Sequence, residues 1–520
     1  MNKQLYALLA ESFQKEWCPD GCAAWLEKLR MVSQDVVISS VSMDSRAVRP
    51  GSLFLACQGV NGHGLSFVSQ AITQGAVAVL WEPSDEVSIP SGCPLPCIAI
   101  PKLSVWVSHL TGCFFDNPSH RLNVIGVTGT NGKTTCSHWL SKCWQSVGEN
   151  YAVLGTLGCG YAGEVLNDIG HTTPSSVSVQ ALLSEAVQRQ DIGMVMEVSS
   201  HGLHQHRVSG VRFQGAVFTN LSRDHLDYHG TMVAYREAKK RLFKMPALCW
   251  VVLNLDDPFS QDIFPVLSPE VSIWGYSQNS RVSNPSLAAC IWATDVCFTS
   301  SGLSLQIHDG DTTIALQLRL WGRFNVDNLL AVVTAWRASG QSLISMKPVL
   351  ESLTPVNGRM EYIEKTTSDQ PTVVIDYAHT PDALEKALTA LRLHHPSTSR
   401  LTCVFGCGGN RDQGKRSLMG EISERLADNV ILTDDNPRFE PSEKIIEQIA
   451  QGLLHPDQVM VISDRGQAIR WAITQSQPED IVLIAGKGHE DYQWVQGERL
   501  FFSDRECVEA LFNKTTERGD

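Results

Sequence analysis

Apolar positions along this chain come in two alternating rhythms. Short solid runs at 52–56, 76–80, 193–197, 215–219, 373–376, 401–405 and 481–485 predict strands buried on both faces. Between them, segments at 67–72, 105–115, 134–147 and 231–244 carry apolar residues at helical spacing. In the third of these, Leu140, Cys143, Trp144 and Val147 mark the buried face, and Gly148 is the C-cap. Strand and helix in alternation predict parallel pairing and a doubly wound α/β sheet. Between 270 and 320 the rhythm shifts to short alternating runs, as at 312–318, which predict an antiparallel addition. The proline-rich stretch 83–96 is a loop.

These rhythms group into three α/β units. Residues 1–105 form a small N-terminal unit, 106–353 a central one and 354–520 a C-terminal one. The last alternates like a Rossmann-type dinucleotide fold but lacks the GxGxxG fingerprint. A length of 520 residues is too much for one core and agrees with several domains.

Composition narrows the class. With 43% apolar and 19% charged residues the chain reads as soluble and globular. A net charge of −13 argues against a nucleic-acid partner. The 15 cysteines have no repeated spacing, and no second pair completes a zinc site with Cys403 and Cys407. Cys136, Cys143 and Cys249 sit in apolar segments as small core residues. Free thiols, no signal peptide and no apolar run long enough to span a bilayer imply a cytoplasmic protein.

The candidate chemistry starts at Val124-Ile125-Gly126-Val127-Thr128-Gly129-Thr130-Asn131-Gly132-Lys133-Thr134-Thr135. A strand, a glycine turn and a helix opening on Lys-Thr make an anion cradle. Backbone N–H groups point inward, the helix end adds partial positive charge and Lys133 adds a full one. Thr134 can place a hydroxyl on a magnesium ion. The usual loop has a glycine where Val127 stands, so this loop is shorter than the common nucleotide-hydrolase form.

Glu197 ends a buried run, where open parallel sheets place functional groups, and can hold magnesium beside Thr134. His225 lies in the crowded loop Ser222-Arg223-Asp224-His225-Leu226-Asp227 after the next strand and is a second metal-ligand candidate. Lys240 reads as solvated, while the residues alone leave Lys239 undecided. Asn325 and Asn328, at a helix start, either cap the helix or read a nucleotide base.

Together with Asn357-Gly358-Arg359-Met360-Glu361 and Asp376-Tyr377-Ala378-His379-Thr380-Pro381, these motifs resemble the Mur ligases. That family comprises ATP-dependent amino-acid ligases that build the peptidoglycan stem peptide. The motifs occur in the family's order and span all three units. Within the family, the chain looks like the branch that adds the third residue to UDP-N-acetylmuramoyl-L-alanyl-D-glutamate. The resemblance implies a role in cell wall biogenesis and, through it, cell shape and division.

The resemblance also assigns residues. Gly129 to Thr135, Asn325, Arg359 and Asp376 bind ATP. Lys133, Glu197, His225 and Lys239 form the catalytic set. Thr134, Glu197, His225 and Lys239 hold magnesium, with Lys239 carbamylated to N6-carboxylysine. Met43 and Ser45 bind the uridine end, and Thr172, Thr173, Ser199, Gln205 and Arg207 the muramoyl dipeptide. His171 stands where some members have asparagine.

The segment Thr433-Asp434-Asp435-Asn436-Pro437-Arg438 is similar to the signature of members selecting meso-diaminopimelate. That amino acid is lysine with an extra distal carboxylate, which a guanidinium grips through two parallel hydrogen bonds. Arg438 and Arg411 supply guanidinium groups, and Asp435, Asn436, Pro437, Gly486 and Glu490 complete the expected diaminopimelate site.

The activity implied is ADP-forming amide ligation through an acyl phosphate. The partners are small molecules only, and a monomer is expected. The nearest alternative is another ligase of the superfamily, lysine-adding or like a folylpolyglutamate synthetase. A P-loop ATPase coupled to movement is more distant, since it needs the regular loop.

Overall fold

The computed structural model describes residues 2–12, 35–59, 62–84, 87–89, 92–299, 302–394 and 398–516. Its centre is a ten-stranded sheet. Seven strands run parallel, in the order Ala289–Thr299, Ser272–Ser277, Trp250–Asn254, Phe213–Phe218, Asn123–Thr128, Gly193–Glu197 and Tyr151–Gly155. Valines and isoleucines point both ways from these strands, so each face needs its own cover. On one face the helices Lys133–Gln145 and Phe324–Ala338 bury Trp139, Trp144 and Trp336. On the other, Val179 and Leu183 of helix Ser176–Gln188 and Leu242 of helix Met232–Phe243 pack against Met194, Phe213 and Phe218.

The antiparallel addition is present as strands Ala289–Thr299, Gly302–Asp309 and Thr312–Leu318. It begins later than the alternation suggests, because Ser272–Ser277 pairs in parallel with both of its neighbours. Two expectations about burial fail. The P-loop helix ends at Gln145, and Val147 beyond it is 47% exposed. Gly148, at φ +83°, donates its N–H to the Gln145 carbonyl and turns the chain. Cys249 is exposed, one residue ahead of strand Trp250–Asn254.

The N-terminal unit carries a four-stranded parallel sheet, Ser40–Ser42, Ser52–Ala56, Ala76–Trp81 and Cys97–Ala99. The boundary expected at 105/106 falls inside helix Leu103–Phe114. Leu103, Val107, Leu110 and Phe114 of that helix join Leu53, Leu55 and Leu80 in one core, so the apolar face ties the helix to the first unit. At the other junction, Leu353 and Val356 still pack in the central core and Met360 in the C-terminal one.

The C-terminal unit is a six-stranded sheet. Thr372–Asp376, Ile481–Ala485, Leu401–Phe405, Asn429–Leu432 and Met460–Val461 run parallel in that order, with Glu361–Ile363 antiparallel at one edge. Loops at the carboxyl ends of these strands face the central unit. A fully buried ion pair pins two of them. The Arg465 guanidinium donates to both carboxylate oxygens of Asp504 at 2.7 and 2.8 Å, and also to the carbonyls of Ala485 and Asp434.

Candidate active site

The shortened loop follows from the sheet. Val127 is fully buried inside the P-loop strand, so the turn starts only at Gly129. Gly132 sits at φ +85°, and a Cβ there would lie 2.3 Å from Asn328 Oδ1. Both facts demand glycine. Lys133 Nζ arches back over the loop to the carbonyls of Gly129 (3.0 Å) and Thr130 (2.8 Å). Thr130 N–H donates to the Asn220 carbonyl and Asn131 N–H to Asn220 Oδ1. Thr135 is buried in the first helical turn. The Asn131 amide donates to Asp382 Oδ2 of the C-terminal unit at 2.7 Å, and Ser222 Oγ donates to the same oxygen.

Glu197 is fully buried. Thr134 Oγ1 donates to its Oε2 at 3.0 Å, and Thr156 N–H to its Oε1 at 2.8 Å. Gly155 leaves the space, since a Cβ there would lie 2.1 Å from Glu197 Oε1. Lys239, 1% exposed, donates to the Gly129 carbonyl at 2.7 Å, with its Nζ 4.6 Å from the Tyr235 ring centroid. Burial, with Lys133 nearby, drives its pKa well below the usual lysine value. Lys240 is less solvated than expected, being partly buried and paired with Glu237 at 2.7 Å. His225 adopts φ +54° and faces Asp224 Oδ2 at 3.3 Å. Burial lowers its pKa to about 4, so near neutrality it is an uncharged imidazole with a free lone pair.

The capping reading of the asparagines fails. Helix Phe324–Ala338 has Arg323 at its N-cap, and both asparagines lie inside it, buried. Asn328 faces Gly132, and its Nδ2 donates to Asn325 Oδ1 at 3.0 Å, so Asn325 stands behind Asn328 relative to the loop. Arg359 crosses from the C-terminal unit, donating to Thr134 Oγ1 at 3.2 Å while its guanidinium lies 4.3 Å from the Tyr377 ring centroid. Asp376 accepts the Met360 N–H at 2.7 Å, and burial raises its pKa to about 6.

A cavity of about 440 Å³ opens between the central and C-terminal units. Thr172, Thr173, Ser199, Arg207 and His225 line one side, and Arg411, Asp435, Asn436, Arg438, Gly486 and Glu490 the other. His171 also lines it. Thr173 Oγ1 is bonded to the Glu197 carbonyl and the Ser199 N–H, and Ser199 Oγ caps helix Ser200–His204. Gln205 sits outside the lining and holds Arg207 through its Oε1, at 3.0 and 2.7 Å. Pro437 also lies outside it, its carbonyl packed against Gly409. Met43 and Ser45 are in the N-terminal unit, apart from this cavity. Met43 is 39% exposed, and Ser45 Oγ bonds Gln70.

Arg438 is held at φ +56° by two backbone bonds to the hairpin Tyr492–Val495/Glu498–Phe501. Its Nη1 donates to the Gly409 carbonyl at 2.9 Å. Burial and the neighbouring Arg411 lower its pKa. Two guanidinium groups that close raise each other's energy until an anion sits between them. Opposite in charge, Asp435 and Glu490 share the buried Lys487 at 3.7 and 3.1 Å.

Tyr377, His379, Asp412 and Lys415 also line the cavity and carry no role in the sequence reading. Lys415 donates to the His379 carbonyl at 2.6 Å. The signal for it was available. Gly408-Gly409-Asn410-Arg411-Asp412 leads into helix Gly414–Leu426 with Lys415 in its first turn, repeating the logic of a glycine loop, a helix start and a lysine.

Burial lowers the pKa of His109, His138, His201, His225, His229 and His379 to about 4, and that of His489 to about 3. Their folded values lie below the unfolded one of about 6.5. The unfolded chain therefore binds more protons between those values, and stability falls as pH drops through this window. Asp376 and Asp327, both raised to about 6, and Asp257, Asp434 and Glu490, also raised, act in the opposite sense but are fewer. The urea midpoint is expected to be clearly lower at pH 5 than at pH 7.

A P-loop facing a second α/β domain, with paired guanidinium and carboxylate groups between them, defines a multidomain nucleotide-dependent enzyme. Comparison with known proteins narrows this: the chain belongs to the Mur ligase family. The Mur ligase middle domain matches residues 127–336, the Mur ligase glutamate ligase domain 358–488, and the Mur ligase family catalytic domain 37–106.

Among its relatives is the UDP-N-acetylmuramoyl-L-alanyl-D-glutamate–2,6-diaminopimelate ligase of Chromobacterium violaceum, 43% identical over 501 residues, covering 95% of this chain and 97% of that protein. The protein of that name from Xanthomonas campestris pv. campestris is 44% identical over 485 residues, covering 93% and 96%. A solved structure of a ligase with this name superposes with a TM-score of 0.64 at 34% identity, covering 92% and 95%. Folylpolyglutamate synthase of Mycobacterium tuberculosis shares the fold alone, with a TM-score of 0.60 at 16% identity, covering 78% of this chain and 95% of that one. Among the described residues no helix is long and apolar enough to cross a membrane.

Proposed function

We propose that the chain joins meso-diaminopimelate to UDP-N-acetylmuramoyl-L-alanyl-D-glutamate, forming ADP and phosphate, as a cytoplasmic monomer acting in peptidoglycan synthesis. The observation that carries this reading is one cavity with Arg207, Thr172 and Thr173 on one side and the Arg411–Arg438 pair beside Asp435 and Glu490 on the other. A zwitterionic end and a distal carboxylate match that charge pattern.

In this reading the glutamyl carboxylate attacks the γ-phosphorus of ATP, and ADP leaves. The amine then attacks the acyl carbon, the C–N bond forms and the C–O bond to phosphate breaks. Gly129 to Thr135 cradle the phosphates, with Lys133 exchanging its loop carbonyls for phosphate oxygens. Arg359 reaches the same end of the nucleotide, and Asn325 and Asp376 support the loops around it. Met43 and Ser45 take the uridine end, and Ser199, Gln205 and Arg207 the dipeptide.

Magnesium, when bound, neutralises phosphate charge. The donor set fits it: Thr134 Oγ1 and the buried Glu197 carboxylate are hard oxygens 3.0 Å apart. Neutral His225 and carbamylated Lys239 would hold a second ion. An unprotonated, buried lysine amine is the form that adds carbon dioxide, which supports that modification.

Arg438→Ala tests specificity. Loss of a charge-assisted bond costs about 1.5–3 kcal/mol, so the diaminopimelate KM is expected to rise on the order of 10- to 100-fold and the preference over lysine to collapse. Initial rates of ADP release with each amine measure both. An unchanged preference removes Arg438 from the specificity site.

A further inference from the structure

Arg207 lines the cavity, and only neutral acceptors hold it. Its Nε and Nη2 donate to Gln205 Oε1 at 3.0 and 2.7 Å, and its Nη1 donates to the Thr173 carbonyl. No carboxylate pairs with it among the described residues. A part-buried guanidinium without a counter-ion is poised for an anion, and its aim depends on those two acceptors.

The Thr173 contact is a backbone carbonyl, fixed by the chain. The Gln205 contact depends on which way the amide faces. A guanidinium has donors and no acceptor, so Gln205 must turn Oε1 toward Arg207. Its Nε2 then points away and donates to Tyr228 Oη at 2.9 Å, the partner it has among the described residues. The phenol, having accepted there, gives its own proton to His204 Nδ1 at 2.8 Å. Donor meets acceptor at every step from Arg207 through Gln205 and Tyr228 to His204. Reversing the amide sets donor against donor at Arg207.

Tyr228 lies outside the cavity lining. It sits in the short helix Leu226–His229, which follows His225, and its ring centroid is 4.1 Å from that of His201. The loop that carries His225 therefore also carries the group that orients Arg207. Resting on the reading above, in which Arg207 takes the muramoyl dipeptide, we propose that Tyr228 is a positioning residue for that substrate, acting through Gln205 and Arg207.

Tyr228→Phe removes one hydroxyl and keeps the ring against His201. The Kd of UDP-muramoyl dipeptide, measured by calorimetry, is expected to rise roughly 5- to 10-fold, the effect of one hydrogen bond. KM for ATP and for diaminopimelate should stay within about twofold of wild type. Arg207→Lys cannot donate to Oε1 from two nitrogens, so in that background Tyr228→Phe should move the dipeptide Kd by less than about twofold. An unchanged Kd in Tyr228→Phe overturns the assignment. So do full additivity with Arg207→Lys, which places the action of the hydroxyl elsewhere, and a rise in all three constants, which makes Tyr228 structural. Wild-type protein that fails to bind UDP-muramoyl dipeptide defeats the proposed function first, and this assignment falls with it.

Discussion

Lys239→Arg is expected to reduce kcat on the order of 10³-fold, as much as Lys239→Ala, because in the proposed mechanism the site takes an anion and not a cation. Arginine keeps the positive charge and is no shorter than lysine but does not add carbon dioxide. If Lys239 acted as a cation, arginine would restore much of the activity and alanine would not. The two readings therefore predict opposite rankings.

The environment favours the anion reading. Lys239 is buried beside the part-buried Lys133, and a second ammonium next to the first is costly there. Converting one to a carbamate turns that repulsion into attraction. Steady-state ADP release ranks the variants, and ¹³C-labelled bicarbonate gives the wild type a carbamate resonance that both variants lack. Activity of Lys239→Arg close to wild type would remove the carbamate from the mechanism.

Asp504→Ala is expected to lose about 3–5 kcal/mol of C-terminal domain stability, because it strands a buried guanidinium. Arg465 and Asp504 are both fully buried and joined by two parallel bonds. Arg465 also holds the carbonyls of Asp434 and Ala485, which precede Asp435 and Gly486. Loss of Asp504 therefore loosens both loops of the proposed amino-acid site at once. Urea unfolding followed by fluorescence should show a lowered midpoint, and the diaminopimelate KM should rise in the variant while ATP affinity holds. A loss below about 1 kcal/mol would mean that water reaches and solvates Arg465 in the variant. The double variant Arg465→Met/Asp504→Leu should recover much of the loss, since two matched apolar groups leave no orphaned charge.

The legible part of this chain was whatever depends on local order. Solid apolar runs marked the parallel strands because both faces are buried, and the P-loop declared itself by strand, glycines and helix start. Glu197 was legible because strand ends are where a parallel sheet presents side chains. Burial at a helix end was not legible: Val147 continues the apolar spacing, but the helix stops two residues earlier. Asn325 and Asn328 misled because a helix start in sequence is uncertain by a turn, and one turn separates a cap from an interior packing residue. The boundary at 105/106 failed because a helix belongs to whichever core its apolar face meets, and that partner is remote in sequence. Lys415 carried a local signal, a glycine loop running into a helix start, whereas His379 became visible only when two domains met across the cavity.

The shared carboxylate of Asp382 has a consequence for the order of events. Asn131 of the phosphate cradle and Ser222 both donate to it, and it belongs to the other domain. Arg359 makes a second such link at Thr134. In the proposed reading a triphosphate arriving at the cradle rearranges these same atoms, so nucleotide binding and the stance of the C-terminal domain share one equilibrium. By thermodynamic reciprocity, whatever factor nucleotide imposes on amine affinity, the amine imposes on nucleotide affinity. Asp382→Ala removes one of the two links and should weaken the coupling between the two affinities without abolishing either.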